Sequence, residues 1–126
     1  MYQNIEIIGH LTRDPEMGNA GSSTVCNFSV ATNRRWKNQD GTQGEETIYF
    51  RVAAWRGLGD VCYQYLKQGR QVFVVGQLVP DQSTGGPRVY QKSDGTYGSS
   101  FEIRADKVVF LGSRGETVEH TEDQPF

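Results

Sequence analysis

Hydrophobic and polar residues alternate along most of the chain in short runs, a period of two that predicts β-strands rather than helices. In the clearest run Ile48, Phe50 and Val52 share one parity, which predicts a strand with one face toward the core. Clusters of Gly, Asn, Asp and Pro separate the runs and predict turns. Strands are therefore expected at residues 4–12, 25–33, 47–55, 71–79 and 100–111.

One window has the period of a helix instead. From Leu58 to Lys67, apolar residues recur every three or four positions, and Gly69 follows as a C-terminal stop. Three strands, a helix and two more strands are the element order of the OB-fold, a five-stranded Greek-key barrel. We therefore predict an all-β protein of this architecture, mainly β with one short helix.

The segment between the fourth and fifth predicted strands is long and polar. Residues 81–99 contain Gly85-Gly86-Pro87 and Asp94-Gly95, turn signals that predict a β-hairpin projecting from the barrel. After residue 111 the sequence shows no periodicity. We expect one domain over residues 1–111 and a short, flexible, acidic tail over residues 112–126.

Charge is distributed unevenly over the 126 residues, whose net charge is −2. All 13 Lys and Arg lie in residues 1–114 beside 11 Asp and Glu, whereas residues 115–126 hold four acidic residues and no base. The mildly basic body suits binding to a phosphate backbone. The acidic tail suits either another protein or the domain's own groove.

The two cysteines, Cys26 and Cys62, lie far apart and outside any metal-binding spacing. Neither a disulfide scaffold nor a zinc site is expected, and both residues are predicted to be buried thiols in a reducing compartment. After Met1 there is no signal-peptide pattern, and no apolar stretch is long enough to span a bilayer. These features predict a cytoplasmic protein with no membrane partner.

The residues needed for catalysis are not arranged along the chain in any known pattern. His10 and His120 are the two histidines, and neither belongs to a nucleophile–base arrangement. Gly57-Leu58-Gly59 begins a dinucleotide-like motif, but Cys62 occupies its third glycine position. We predict no catalytic residue, no metal and no cofactor.

Aromatic and basic residues do alternate with core residues in the third predicted strand. Tyr49, Arg51 and Trp55 share the parity opposite to the core positions. Exposed rings with an arginine between them favour stacking on nucleobases together with phosphate contact. A face packed against a partner subunit is the alternative.

Two other segments repeat this composition. Arg34-Arg35-Trp36-Lys37 places three bases around one indole at the end of the second strand, where a solvated turn is the alternative. The projecting hairpin adds Arg88, Tyr90, Lys92 and Tyr97, which suit nucleic-acid contact and cross-strand pairing equally well.

The last residues form a separate candidate site. Glu122, Asp123, Pro125 and Phe126 make an acidic run closed by Pro-Phe, typical of a peptide that docks in a pocket with a basic rim. A solvated tail is the alternative.

Several segments together form a more specific pattern. They are Asn4-Ile5-Glu6-Ile7-Ile8-Gly9-His10-Leu11, Asp14-Pro15-Glu16, Phe28-Ser29-Val30-Ala31-Thr32, Trp36, Phe50-Arg51-Val52, Tyr65-Leu66-Lys67-Gln68-Gly69, Val75-Gly76-Gln77-Leu78 and the acidic Pro-Phe tip. With this pattern the chain resembles the bacterial-type single-stranded DNA-binding proteins over nearly its whole length.

The resemblance implies binding of single-stranded DNA without sequence specificity, and protection of that DNA during replication, recombination and repair. It implies base stacking by Trp36, Tyr49 and Trp55, with Tyr90 a weaker match. Backbone contacts are implied for Arg34, Arg35, Arg51, Arg56 and Lys67. It further implies docking of replication and repair proteins at the tip, a homotetramer, and a cytoplasmic, nucleoid-associated location.

Two other functions share the fold. A primosome-type OB-fold accessory protein, acting mainly as an interaction module, is disfavoured by the Pro-Phe tip. An OB-fold oligosaccharide binder also exposes aromatic rings, but a sugar does not require arginines such as Arg34, Arg35 and Arg51 beside them.

Overall fold

The computed structural model describes residues 1–112 and 117–121, and these residues form eight β-strands and one α-helix. The elements in chain order are β1 (Ile5–Leu11), β2 (Glu16–Ala20), β3 (Ser23–Lys37), β4 (Gln43–Trp55), α1 (Arg56–Tyr65), β5 (Gln71–Val79), β6 (Arg88–Gln91), β7 (Tyr97–Leu111) and β8 (Thr117–Thr121).

Five of these strands close into a barrel. β1 pairs antiparallel with β5, β5 with β7 and β3 with β4, while β4 and β7 run parallel. The ring is closed by β1 and β3, which pair at His10–Ala31 and Leu11–Val30. The five barrel strands are those predicted from the period-two pattern, so the predicted OB-fold is confirmed.

The core consists of the inward positions of the barrel strands. Val30, Val52, Val72 and Val108 are each at most 1% exposed, and burial of such a side chain stabilises the fold by about 1.5–3 kcal/mol. Phe110, 2% exposed, is the largest fully buried side chain. Its truncation to alanine is therefore expected to cost about 3–5 kcal/mol of folding free energy.

Helix α1 covers one end of the barrel and buries Leu58, Val61 and Cys62. It begins and ends two residues earlier than the predicted span 58–67, because apolar periodicity marks the buried face and not the helix ends. The N–H of Leu66, already in extended conformation, donates to the Cys62 carbonyl and ends the helix. Gly69 adopts a positive φ of 88° in the turn that follows.

Two hairpins extend from the barrel. The β3–β4 ribbon is paired without irregularity from Val25–Trp55 to Lys37–Gln43. The predicted hairpin between the fourth and fifth barrel strands is confirmed, with β6 paired to the first residues of β7.

Two strands were not predicted. β2 pairs with β3 at the edge of the sheet, and its residues are mostly exposed on both sides, so no hydrophobic alternation marks it. Within the predicted tail, Thr117–Thr121 forms β8 and pairs with Lys107–Leu111 of β7. The segment predicted as a tail therefore contains a paired strand at these five residues.

The physical reason for β8 lies in β7. Strand β4 pairs with β7 only from Phe101 to Arg104, so the later backbone groups on that edge need another partner. The predicted tip residues Glu122, Asp123, Pro125 and Phe126 lie outside the described residues, so their role stays a prediction.

Candidate nucleic-acid interface

The regular β3–β4 register determines which side chains share a face. Tyr49 is the partner of Ala31, Arg51 of Ser29 and Trp55 of Val25, so odd-numbered residues of both strands lie on the side opposite the inward core positions, although Val25 and Ala31 are themselves buried. We call this surface, with its continuation on β7 and β6, the outer face. Tyr49 is 60% exposed on it, Arg51 is exposed and Trp55 is half-buried.

Strands β7 and β6 continue the outer face. In the parallel β4–β7 pair, Arg51 lies beside Glu102 and Ala53 beside Arg104. In the hairpin, Arg88 pairs with Ser100, and Tyr90 pairs with Gly98, where a methyl group would crowd the Tyr90 ring. Arg88 and Tyr90 thus have the same parity as Glu102 and Arg104 and belong to the outer face.

Trp36 lies on the opposite face of the β3–β4 ribbon. Its partner is Gly44, and Arg34 pairs with Glu46, all at even-numbered positions. Trp36 is 41% exposed, and its Nε1–H donates to Asn38 Oδ1 at 3.0 Å. The Arg34 guanidinium carbon lies 5.4 Å from the ring centroid, within cation–π range. The structure therefore does not unite Trp36 with Tyr49 and Trp55 on one surface.

Some of the predicted cationic side chains already have acidic neighbours. Arg34 contacts Glu46 at 2.9 Å and Arg35 contacts Glu45 at 3.5 Å, while the Arg88–Glu102 distance is 3.9 Å. These exposed pairs contribute only about 0–1 kcal/mol to stability, yet each carboxylate offsets a positive charge that a phosphate would use.

Other predicted cations are not neutralised in this way. Within the described ranges, none of five side chains forms an ion pair: Lys37, Arg51, Arg56, Lys67 and Lys92. Of these, Arg51 lies on the outer face by its register in β4, and Arg56 follows the end of that strand as the first residue of α1.

The three lysines lie in turns or at a strand end. Lys37 ends β3, and Lys92 lies in the β6–β7 turn, where its N–H donates to the Thr96 carbonyl at 2.7 Å. Lys67 follows α1 in a turn that is fixed to the β1–β2 connection, because the N–H of Gln68 donates to Asp14 Oδ1 at 2.9 Å.

The turns of both hairpins carry a carboxylate in the same local arrangement. Asp40 accepts hydrogen bonds from the hydroxyl and the N–H of Thr42, and Asp94 accepts the same pair from Thr96. These bonds, the hydroxyl bond first, lower the pKa of both carboxyls below the usual value. Both hairpin turns therefore carry a carboxylate that stays ionised below the pH at which an ordinary aspartate is protonated.

Sequence reasoning missed three outer-face residues. Arg104 is exposed on β7, and Asn27 and Ser29 border a small cleft that is also lined by two arginines and two carboxylates, Arg13, Arg51, Asp14 and Glu16. The sequence pattern could have identified Arg104, because it lies between the core residues Ile103 and Ala105 and therefore points to the opposite side of the strand. Ser100, also on the outer face, holds a buried hydroxyl oxygen without a hydrogen-bond partner among the described residues.

Within residues 1–112 and 117–121, no helix has the length and apolar character needed to cross a membrane. In the same part of the chain, His, Cys, Asp and Glu side chains form no group of three able to hold a metal ion.

Comparison with solved structures supports the fold. A Plasmodium falciparum SSB complex with ssDNA matches with a TM-score of 0.69 and 24% identity, covering 89% of this chain and 97% of that one. A small single-stranded DNA-binding protein from Streptomyces coelicolor also gives a TM-score of 0.69, with 23% identity over 86% of this chain and 93% of that one.

Sequence comparison is more specific. A single-stranded DNA-binding protein of Neisseria meningitidis serogroup A is 37% identical over 111 residues, covering 87% of this chain and 60% of the relative. One from Helicobacter hepaticus is 40% identical over 115 residues, covering 90% of this chain and 64% of the relative. The chain thus spans about 60% of the length of the Neisseria relative. The model of the single-strand binding protein family matches residues 2–111, and the chain belongs to this family.

Proposed function

We propose that the chain binds single-stranded DNA without sequence specificity across its outer face. The observation that carries this proposal is the row of Tyr49, Arg51 and Trp55 along β4, opposite the core positions of the same strand, with Tyr49 and Arg51 exposed and Trp55 half-buried. Bases stack on such rings in any sequence, and the guanidinium binds the phosphates between them.

The rings of the outer face suit a single strand rather than a duplex. Rings that stack on bases need those bases unpaired. Tyr49 and Trp55 lie on β4 and Tyr90 lies on β6, so the rings are spread over two strands of the sheet. Trp36, on the other face of the β3–β4 ribbon, would contact the DNA only where the strand passes around the ribbon.

The wider biological role is also a proposal. Membership of the family supports protection of DNA during replication, recombination and repair in the cytoplasm, by a non-catalytic protein. The sequence of Glu122, Asp123, Pro125 and Phe126 supports docking of replication and repair proteins. Assembly as a homotetramer would place several outer faces along one DNA molecule.

The alternative is an interaction module of the primosome type, in which Tyr49 and Trp55 contact a protein. Titration of the full chain with oligothymidine, and with a blunt duplex of equal nucleotide content, separates the two functions. We expect quenching of tryptophan fluorescence by the single strand and much weaker quenching by the duplex. An unchanged emission at low salt would reject the DNA-binding proposal.

A pair of tyrosine variants tests the outer face itself. Tyr49→Ala should weaken oligothymidine binding by about 1–3 kcal/mol if the ring stacks. Tyr63→Ala is the control, since Tyr63 is 51% exposed on α1 and belongs to no predicted site. Equal affinity of the two variants would place the DNA elsewhere.

A further inference from the structure

The outer face carries a pocket where β4 passes into α1, and four elements contribute its lining. Ser23 begins β3, Trp55 ends β4, Arg56 begins α1 and Arg104 lies in β7. The pocket has a volume of about 410 Å³ and is open to solvent. Its four lining residues supply two guanidinium groups, an indole and a hydroxyl, and no carboxylate.

Strand register explains why these residues meet. Val25 is the partner of Trp55, and Ser23 lies two positions before Val25, so all three share the outer face. Ala53 is the partner of Arg104 across the parallel β4–β7 pair, which brings Arg104 to the same surface. Residues far apart in sequence thus form one pocket.

Arg56 has a conformation that is rare for its residue type. Its φ of 57° is the only positive value at a non-glycine residue in the described ranges. A sharp turn is needed here because α1 packs closely on the end of β4, and a methyl group at Gly59 would overlap the Ala54 carbonyl. Glycine adopts this conformation without steric penalty. The turn therefore gives no reason for an arginine rather than a glycine at position 56. Its position in the lining of the pocket does give one.

The side chain of Arg104 makes only weak contacts with its neighbours. Its guanidinium lies 3.3 Å from Gln77 Oε1 and 3.9 Å from Asp106 Oδ1. Its side chain is 48% exposed, so solvent screens the long ion pair. Arg56 has no ion pair within the described residues. Two weakly engaged guanidinium groups at one open pocket favour an anion, and their planar donors match phosphate geometry.

We infer that Ser23, Trp55, Arg56 and Arg104 form a nucleotide subsite. One phosphate of the DNA strand binds between Arg56 and Arg104, and the adjoining base stacks on Trp55. The inference rests on the proposed function and adds Arg104 to the residues that carry it. It also directs the bound strand from β4 toward β7 at this end of the barrel.

Equilibrium binding of fluorescein-labelled oligothymidine to the full chain, over a range of salt concentrations, tests the subsite. Arg56→Gly and Arg104→Gln should each lower affinity about tenfold at low salt, the size of one lost charge-assisted hydrogen bond. Arg70→Gln is the matched control, since it removes the same charge from a part-buried residue that hydrogen-bonds the Leu111 carbonyl. It should change affinity less than twofold.

Two features of these variants separate binding from folding. Arg56→Gly removes the left-handed arginine, so its thermal unfolding temperature should be unchanged or higher while its DNA affinity falls. If one phosphate is shared, the Arg56→Gly and Arg104→Gln double variant should lose no more than about 0.7 in the slope of log K against log salt, which is the contribution of one phosphate. A loss twice as large would contradict a shared phosphate.

Failure of the subsite is distinguishable from failure of the proposed function. No binding of oligothymidine by the unchanged protein would reject the function. Normal binding by the unchanged protein, with both variants matching Arg70→Gln, would reject the subsite alone. A synthetic peptide of residues 112–126 serves as the carboxylate probe. The subsite would be overturned if the unchanged protein binds this peptide, Arg104→Gln does not bind it, and Arg104→Gln still binds DNA normally. The pocket would then be assigned to carboxylates.

Discussion

The indole of Trp36 lies directly against the backbone of Gly44, its cross-strand partner near the end of the β3–β4 ribbon. A methyl group at position 44 would overlap the indole ring atoms, so only glycine leaves room for the ring in this position. The hydrogen bond to Asn38 and the nearby Arg34 guanidinium fix the ring further. Trp36 is therefore held in place before any ligand arrives, which lowers the entropy lost on binding.

Gly44→Ala should displace Trp36 and weaken binding of single-stranded DNA. If the ring stacks on a base, the loss should approach that of Trp36→Ala, about 1–3 kcal/mol. Gly18→Ala is the control, because Gly18 also lies in an exposed strand but has space for a methyl group, with its nearest neighbour atom 3.7 Å away. Oligothymidine affinity and tryptophan emission measure both effects. Full affinity in Gly44→Ala, with weakened binding in Trp36→Ala, would show that the ring needs no glycine beneath it.

Glu46→Gln should strengthen DNA binding. The Glu46 carboxylate lies 2.9 Å from the Arg34 guanidinium and repels a phosphate that approaches it. Its neutralisation should raise affinity about twofold to fivefold at low salt, with little change in stability, because an exposed ion pair contributes about 0–1 kcal/mol. Glu6→Gln on β1 makes the same charge change away from the ribbon. Equal gains in both variants would assign the effect to net charge rather than to Arg34.

Arg51→Gln should reduce the salt dependence of DNA binding. Each phosphate neutralised on a single strand contributes about −0.7 to the slope of log K against log salt. Loss of the Arg51 guanidinium should therefore make the slope less steep by about 0.7. Arg51→Lys retains the charge and should retain the slope. A slope that is the same in all three proteins would mean that Arg51 contacts no phosphate.

The sequence was sufficient to predict the barrel and the face of β4. Core strands bury one side, so the alternation of Phe50 and Val52 with Tyr49 and Arg51 follows directly from their polarity. The helix was predicted from its buried face in the same way, although its predicted ends lay two residues too far along the chain.

The remaining features depend on pairing between distant segments. The β3–β4 loop spans only residues 38–42, whereas the predicted strands end at residue 33 and resume at residue 47. The part of the ribbon between these positions lies outside the core, so no hydrophobic alternation marks it as strand. Without that register, Trp36 could not be assigned to the face opposite Tyr49. Arg104 reaches Trp55 only through the parallel pairing of β4 with β7. Strand β8 depends on an open edge, which no local pattern shows.

Cys26 and Cys62 make the stability of the fold sensitive to alkaline pH. Burial raises the pKa of Cys26 to about 12, with a smaller contribution from the negative charge of Asp60. Burial also raises the pKa of Cys62 above its usual value, with Cys26 adding to the effect. Both thiols are fully buried, so the folded protein keeps them protonated where an unfolded chain, with thiol pKa values of about 8.5, would ionise.

The sign of the effect follows from these pKa values. A raised pKa contributes stability that is fully present below the unfolded pKa and is lost as pH rises toward the folded pKa. The free energy of unfolding should therefore decrease between about pH 9 and pH 11, by up to about 1.4 kcal/mol per pH unit for each thiol. Urea titrations across this range measure the slope. Cys26→Ala leaves one thiol to ionise, so its slope should be shallower by about 1.4 kcal/mol per pH unit; parallel slopes in the two proteins would assign the alkaline loss to groups other than Cys26.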